Sequence, residues 1–222
     1  MAVTMDSSGV TYSDGSIQTT RYGTDTDTGS LISVKEYTIS GSWTWTKPSN
    51  CTRVLVRVVG GGGGAAGYCE SGGAGAYVEK LIDVTGISSV TVTVGGGGGN
   101  TGYYAAGGDG GTSSFGSYCS ATGGYGANRN NSHSGGYGGT PSGGDINLYG
   151  GGGTGHGNSL GNGSTARGGD TYFGGSPGVN RNNGGNSFGP ASPGTGGSGG
   201  RTDDNHAGTT GRTGGVFVWE YR

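Results

Sequence analysis

Six short segments of β-branched and aromatic residues predict the strands of this chain. In Thr52–Val59 the apolar residues Val54, Val56 and Val58 share one face, as expected for a strand with a period of two. No segment has the apolar stripe of an amphipathic helix. We therefore predict a small β core from Leu31–Ser40, Trp43–Thr46, Thr52–Val59, Tyr77–Val84, Val90–Val94 and Gly214–Arg222.

Most of the chain between these strands is glycine. Of its 60 glycines, 55 lie between Gly60 and Arg222. Between Asn100 and Gly215 the only Ile, Leu or Val residues are Ile146, Leu148, Leu160 and Val179. Such a region cannot build an ordinary core. It is either disordered or held by backbone hydrogen bonds with few side chains.

The second interpretation accounts for the cost of so much glycine. Each glycine in regular structure costs roughly 0.5–1 kcal/mol relative to alanine, so its abundance calls for a reason, and close backbone approach supplies one. Collagen is excluded because no sustained Gly-X-Y period exists and the chain has only five prolines. Polyproline-II segments have no internal hydrogen bonds, so their amides must bond to neighbouring segments. We hypothesise a bundle of glycine helices within one chain.

The expected fold is mainly β with little or no α-helix. A small antiparallel β-sandwich would carry a polyglycine-II-type bundle and loops. The β core would comprise residues 31–94 and 214–222, and the glycine-rich region residues 95–213, with 60–76 as a first glycine-rich loop. We expect the chain to leave one sheet at Val59, return, leave again at Val94 and rejoin it at Val216.

Residues 1–30 are polar and too short to fold alone. The Ser13-Asp14-Gly15 turn signal separates two extended pieces, Val10–Tyr12 and Ser16–Thr19. We interpret residues 1–30 as an attachment or oligomerisation arm. Its contact residues are predicted to be Val10, Tyr12, Asp14 and Ile17.

A loose repeat punctuates the glycine-rich region. Gly-Gly, then Asp or Asn, then an aromatic residue and Gly begins at Gly107, Gly143, Gly168 and Gly184, with irregular spacing. The full calcium-binding repeat is absent. Asp109, Asp145 and Asp170 are therefore predicted to be structural turn residues that bond their own backbone.

Charge and motifs argue against several functional classes. A net charge of −2 gives no general attraction to nucleic acid or to an anionic membrane. We expect a soluble protein made in a cytoplasm, because no membrane-length apolar run or signal peptide stands out. Catalytic, metal-binding and nucleotide-binding patterns are missing, so we expect no enzyme activity, metal or cofactor. Cys51, Cys69 and Cys119 are predicted to be buried free thiols.

Surface recognition remains as the expected role. Tyrosine, serine, glycine and asparagine are typical of binding loops, in which rigid aromatic contacts combine with adaptable polar groups. Four polar segments have this composition: 125–137, 154–166, 179–187 and 201–211. The candidate receptor-binding residues are Tyr125, Asn128, Arg129, His133, Tyr137, His156, Asn158, Arg181, Asn182, Arg201 and His206.

Two sets of motifs resemble bacteriophage tail-fibre and adhesin proteins. "GVTYSDGSIQTT" (Gly9–Thr20) is similar to a short segment that recurs in tail fibres. "WTKPSNCTRVLVRVVGGGGG", "GGAGAYVEK", "VTVGGGGG", "GGDGGTSSFG" and "GGVFVWEY" resemble the glycine-rich terminal domain of tail fibres and adhesins. The resemblance covers nearly the whole chain. It implies a sandwich of stacked polyglycine-II helices that binds host surface receptors through distal loops.

With this resemblance, the expected function is a virion structural protein. It would be a tail-fibre or spike tip that adsorbs to a host glycan or outer-surface protein without catalysis, with residues 95–213 as the receptor-binding region. We expect a homotrimer joined to another fibre or baseplate protein through the arm, with no nucleic acid and no membrane insertion. The alternative is a purely architectural virion protein, and the third is an ice-binding or cell-wall glycine-rich protein.

Overall fold

The computed structural model describes most of the chain. The described residues are 4–6, 9–11, 17–18, 29–66, 70–100, 105–128, 134–155, 166–176, 192–199 and 208–222, the first three ranges as backbone only. Within them the chain forms thirteen β-strands and no helix, which confirms the mainly β fold class. No helix in this part of the chain has the length and apolar character of a membrane span.

Two five-stranded antiparallel sheets form the β-sandwich. Sheet I has the order β12-β7-β6-β13-β4, and sheet II has the order β11-β10-β9-β8-β5. The strands of sheet I are β4 (Leu31–Tyr37), β6 (Arg53–Val59), β7 (Tyr77–Asp83), β12 (Ile146–Leu148) and β13 (Gly215–Tyr221). Those of sheet II are β5 (Gly41–Thr46), β8 (Ser89–Val94), β9 (Ser113–Phe115), β10 (Cys119–Ala121) and β11 (Pro141–Ser142). All six predicted strands are confirmed.

The predicted path through a single sheet is wrong. The chain leaves sheet I at Val59 and returns to sheet I at Tyr77, but its second exit, at Val94, is from sheet II and returns to sheet II at Ser113. Four short strands, β9 to β12, lie where only glycine runs and loops were predicted. Each of them has only two or three residues, too few to establish a period of two, so these strands could not be predicted from the sequence.

The N-terminal region forms a separate small sheet. Its strands are β1 (Thr4–Asp6), β2 (Gly9–Thr11) and β3 (Ile17–Gln18), paired antiparallel in that order. Strands β2 and β3 overlap the two predicted extended pieces and pair with each other, with Val10 opposite Gln18 and Thr11 opposite Ile17. Tyr12 and Asp14 lie outside the described residues.

The sandwich core lies between the facing sides of the two sheets. Val54, Val56 and Val58 are fully buried, as predicted from their shared face. Trp45 of sheet II is also fully buried, and its ring packs on that of Phe115 at 5.6 Å. Cys51 and Cys119 are buried and free, as predicted, whereas Cys69 lies outside the described residues.

A buried carboxylate links the two sheets. Glu220 of β13 is fully buried, although it occupies a position that the strand pattern assigns to the apolar face. Trp45 Nε1 donates to its Oε1 at 2.8 Å, and the Ser33 hydroxyl donates to its Oε2. Because these donors come from β5 and β4, the carboxylate joins sheet II to the edge strand of sheet I.

The outer faces of the two sheets differ in chemistry. On sheet I, Leu81, Leu55, Trp219 and Val34 lie opposite one another across four strands. On sheet II, a row across all five strands consists of hydroxyl side chains: Ser42, Thr93, Ser114, Ser120 and Ser142. An apolar row therefore crosses the outer face of sheet I, whereas a polar row crosses that of sheet II.

Beyond the sandwich, the glycine runs form a bundle held mainly by backbone hydrogen bonds. In the run 60–66, successive N–H groups donate in rotation to three neighbouring runs, which are 70–76, 105–111 and 208–214. Every third N–H therefore donates to the same run. The N···O distances are 2.8–3.0 Å. A rotation of three without internal hydrogen bonds is the signature of polyproline-II geometry. The predicted polyglycine-II-type bundle is confirmed.

Two runs occupy the centre of this bundle. Run 60–66 donates to three runs, and its carbonyl groups accept from three others. Run 70–76 is surrounded in the same way. Residues 60–76 were predicted to be a first glycine-rich loop; apart from residues 67–69, which are not described, they are instead the two central helices, continuous with β6 and β7.

The remaining runs close a ring around the central pair. Each donates to or accepts from the next around the ring. In order, the described runs of the ring are 122–128, 134–140, 150–154, 166–171, 192–199, 208–214, 95–99 and 105–111, which bonds back to 122–128. The arrangement is a hexagonally packed patch of ten parallel and antiparallel helices.

Close approach explains the glycine of the interior. A Cβ built on Gly62 would lie 1.9 Å from the carbonyl oxygen of Thr195, and one on Gly73 would lie 2.0 Å from that of Tyr137. Neither atom can move without breaking the lattice, because both carbonyl groups belong to hydrogen-bonded runs. Gly99, at the rim of the bundle, has no atom within 4 Å of such a Cβ.

Gly73→Ala should therefore destabilise the protein far more than Gly99→Ala does. We expect Gly73→Ala to lower the free energy of unfolding by at least about 2–3 kcal/mol, as overpacking a dense interior does. Gly99→Ala should be neutral or slightly stabilising, because it restricts the unfolded chain without a clash. Urea denaturation followed by circular dichroism measures both, and equal losses would contradict the close-packed lattice.

The hydrogen bond from Trp45 to Glu220 predicts that replacing Trp45 destabilises the protein more than replacing Trp43. Trp45→Phe removes the donor to buried Glu220 and leaves a void, so we expect a loss of about 2–4 kcal/mol in the free energy of unfolding. Trp43, 41% exposed, donates only to the Ile39 carbonyl, and Trp43→Phe should cost below about 1 kcal/mol. A similar loss for both variants in chemical denaturation would argue against the role of Glu220.

Candidate binding face

Three neighbouring runs of the ring expose a side chain at every third residue. Run 122–128 exposes Thr122, Tyr125 and Asn128, and run 134–140 carries Ser134, Tyr137 and Thr140. On the other side of 122–128, run 105–111 and the residue after it carry Ala106, Asp109 and Thr112. With three residues per turn, these positions share one side of each helix. We call the nine residues the tyrosine face.

Backbone hydrogen bonds set the register of this face. Tyr125 N donates to the Tyr137 carbonyl at 2.9 Å, and Asn128 N donates to the Ser134 carbonyl at 3.2 Å. Asp109 belongs to the row of the tyrosines, because Gly126 N donates to its Oδ1 at 2.8 Å. The rows are spaced by one helical turn, about 9 Å at 3.1 Å per residue.

A cleft of about 480 Å³ opens between the two tyrosines and the ends of these runs. Tyr125 is 53% exposed and Tyr137 is 76% exposed. The glycines of the three runs form much of its lining. Asp109 is the only charged one among the described residues that line it: Ala106, Gly107, Asp109, Tyr125, Gly126, Ala127, Asn128, Ser134, Gly135, Gly136 and Tyr137.

Three of the predicted receptor-binding residues meet at this cleft: Tyr125, Asn128 and Tyr137. The structure places them in hydrogen-bonded glycine runs rather than in a loop, with residues 129–133 outside the described part. The other predicted residues also lie outside it: Arg129, His133, His156, Asn158, Arg181, Asn182, Arg201 and His206. Their recognition role stays a prediction.

Asp109 was missed as a member of this group. It was interpreted as a turn residue, whereas its carboxylate accepts from a backbone amide of the neighbouring run. Asp145 likewise accepts from Leu81 N at 2.9 Å, and Asp170 accepts from Ser176 N at 2.8 Å. All three aspartates accept backbone hydrogen bonds, as expected of structural residues, but only Asp170 bonds across its own turn, whereas Asp109 and Asp145 bond a neighbouring segment.

A period of three would have revealed the face. In "TGGYGAN" (Thr122–Asn128) and "SGGYGGT" (Ser134–Thr140) a larger residue follows every two small ones. Such spacing places the larger residues on one side of a three-residue helix, where no neighbouring run has to approach. The same spacing relates Ala106, Asp109 and Thr112.

A second aromatic cluster lies where the bundle meets sheet I. Tyr77 is 2% exposed, and the ring of Tyr172 stacks on it at 4.1 Å between centroids. The Tyr77 hydroxyl donates to Glu79 Oε2 at 2.8 Å, and Arg57 Nε donates to the same oxygen at 2.6 Å. The Arg57 guanidinium also lies 4.6 Å from the ring of Trp219. The polar groups of this cluster are paired with one another, as is typical of a structural cluster.

Among the described residues, no group of three His, Cys, Asp or Glu side chains is placed to hold a metal ion. In comparisons with known proteins, a family model described as a glycine-rich domain matches residues 38–221. No curated protein matches the sequence.

The Tyr77 cluster predicts an alkaline pH dependence. Burial, with the hydrogen bond to the Glu79 carboxylate, raises the pKa of Tyr77 above its ordinary value of 10.0. The folded state thus favours the protonated phenol, and this contribution to stability is complete below pH 10 and lost as the pH rises further. Urea unfolding should show a steeper decline above pH 10 for the wild type than for Tyr77→Phe. Equal slopes would contradict the shift.

Proposed function

The chain belongs to the glycine-rich domain family, whose model covers residues 38–221, and from this premise we propose that it is a structural protein of a bacteriophage virion. It forms the tip of a tail fibre or spike and adsorbs to a receptor on the host surface without catalysis. The resemblance of its strand and glycine motifs to tail fibres and adhesins supports this placement at the tip of a fibre or spike.

The observation that carries the proposal is the tyrosine face. Tyr125 and Tyr137 present large aromatic surfaces to solvent from backbone that is hydrogen-bonded on several sides. A rigid support lowers the entropy that recognition costs, because neither the backbone nor its register has to be ordered on binding. Exposed tyrosine beside small polar residues is the chemistry of adaptable binding surfaces.

Most of the large exposed aliphatic residues lie on sheet I and not in the tyrosine face, which supports a separate face for assembly. Six exposed aliphatic residues lie on strands of sheet I: Leu31, Ile32, Val34, Leu81, Ile146 and Leu148. They lie near the two edges of the sheet, and the apolar row Leu81, Leu55, Trp219 and Val34 connects these edges. An exposed apolar surface of this kind is typical of protein interfaces. We assign it, with the N-terminal arm that precedes β4, to contacts within a homotrimer and with another fibre or baseplate protein.

A second candidate is a purely architectural virion protein. The closed ring around a buried central pair favours it, because a lattice bonded in every lateral direction resists bending whether or not it binds anything. The two candidates differ in one respect: only the receptor-binding tip needs the exposed tyrosines.

Adsorption to whole bacteria tests this difference. Fluorescently labelled protein should bind saturably to a strain that the parent phage infects. The double variant Tyr125→Ser/Tyr137→Ser should lose at least tenfold in affinity, since aromatic anchors dominate such interfaces. Tyr149→Ser is the matched control, because Tyr149 is 74% exposed and lies outside the tyrosine face.

Both variants change outward side chains, so circular dichroism and the denaturation midpoint should match those of the wild type. Saturable binding that survives the double variant would move recognition away from this face. No binding by the folded, assembled wild type across infected strains would favour the architectural protein.

A further inference from the structure

We propose that the cleft of the tyrosine face binds a single pyranose ring of a neutral or amino sugar and discriminates against acidic sugars. The inference deepens the proposed function, on which it rests, by naming the chemical class of the ligand. It follows from the size of the cleft, the chemistry of its walls and the sign of its charge.

The volume of the cleft suits a small ligand rather than a protein surface. Its 480 Å³ falls within the roughly 300–1,000 Å³ of small-molecule sites. A stable protein interface buries about 800 Å² on each partner, which a recess of this size does not provide. The floor is glycine backbone that cannot retract, because its runs are bonded to the central pair.

The walls offer an apolar body and polar edges together. Tyr125 and Tyr137 both line the cleft, and each side chain combines an aromatic face with a hydroxyl that donates and accepts. A pyranose has the complementary build, with C–H groups on its faces and hydroxyls around its rim. Stacking a sugar face on one tyrosine would direct its rim towards the polar residues of the same row.

Asp109 supplies a fixed acceptor for that rim. Its Oδ1 accepts from Gly126 N at 2.8 Å, so the carboxylate is held in the cleft wall by the neighbouring run. A carboxylate accepts hydrogen bonds from two adjacent sugar hydroxyls or from an ammonium group. Asn128 and Ser134 line the next row of the cleft with an amide and a hydroxyl.

The charge of the cleft determines which sugars it accepts. Among the described residues of the lining, Asp109 is the one charged side chain, so this part of the cleft is negative. A uronic acid would place a second carboxylate against it, and like charges at close range repel. An amino sugar would place an ammonium group there. Its attraction to the Asp109 carboxylate and to the aromatic rings of the tyrosines favours binding.

Titration with matched methyl glycosides tests the proposal. The probes are the methyl glycosides of a neutral hexose, its 2-amino derivative and its uronic acid, each in the gluco and galacto configurations. Binding is measured by calorimetry and by chemical-shift changes of the Gly126 and Tyr137 amides. In one configuration the amino and neutral sugars should bind, and the uronic acid at least tenfold more weakly.

Three variants of the cleft and one control variant separate the contributions. Tyr125→Ala and Tyr137→Ala should each weaken binding of the neutral sugar at least fivefold, whereas Tyr149→Ala should not change it. Asp109→Asn should abolish the preference for the amino sugar over the neutral one and raise the relative affinity for the uronic acid. Unchanged preferences in Asp109→Asn would overturn the assignment of charge selectivity.

Failure of this inference can be told apart from failure of the proposed function. If bacterial adsorption needs Tyr125 and Tyr137 but no glycoside binds, and protease treatment of the cells abolishes adsorption, the receptor is a protein and the sugar assignment is overturned. If glycosides bind as expected but the assembled protein adsorbs to no host strain, the sugar site stands and the receptor-binding function falls. Equal binding of acidic and neutral sugars would also overturn the inference.

Discussion

The fold depends on lateral backbone hydrogen bonds made in rotation to three neighbouring runs. A helix with three residues per turn points successive amides in three directions, so every interior run must have a partner on each side. Partners at hydrogen-bonding distance leave no room for Cβ atoms, which is why Gly62 and Gly73 face carbonyl oxygens about 2 Å from where a side chain would begin. In this bundle glycine is a packing residue, as valine is in the sandwich.

The sandwich supplies the apolar burial that the glycine bundle lacks. Glycine runs gain little from apolar burial and lose much conformational entropy on folding. Here the two central runs continue from β6 and β7, whose valines are fully buried between the sheets. An ordinary apolar core therefore fixes the direction and spacing of the central pair, to which the runs of the ring are hydrogen-bonded.

The sequence predicted much of this architecture, but only in part the site. Alternation in segments such as Thr52–Val59 was sufficient for the six longer strands, and the scarcity of aliphatic residues indicated a fold held by backbone. The assignment of β4 and β5 to different sheets could not be predicted, because period-two patterns identify a strand's buried face and not its neighbours. Glu220 was unexpected for a related reason: its partners Trp45 and Ser33 come from other strands. At the site, composition selected Tyr125, Asn128 and Tyr137, whereas Asp109 joins them only through the lateral register of the runs.

The position of β13 has a consequence for how the chain acquires its structure. This strand, the last of those described, lies between β6 and β4 in sheet I, and the run before it, 208–214, joins 192–199 to 95–99 in the ring. A nascent chain that has not released these residues from the ribosome has two unpaired strand edges and an open bundle. Because the contacting residues are far apart in sequence, folding should be slow and should finish only after residues 208–221 have left the ribosome. Truncation near residue 208 would then yield an aggregation-prone chain rather than a smaller domain.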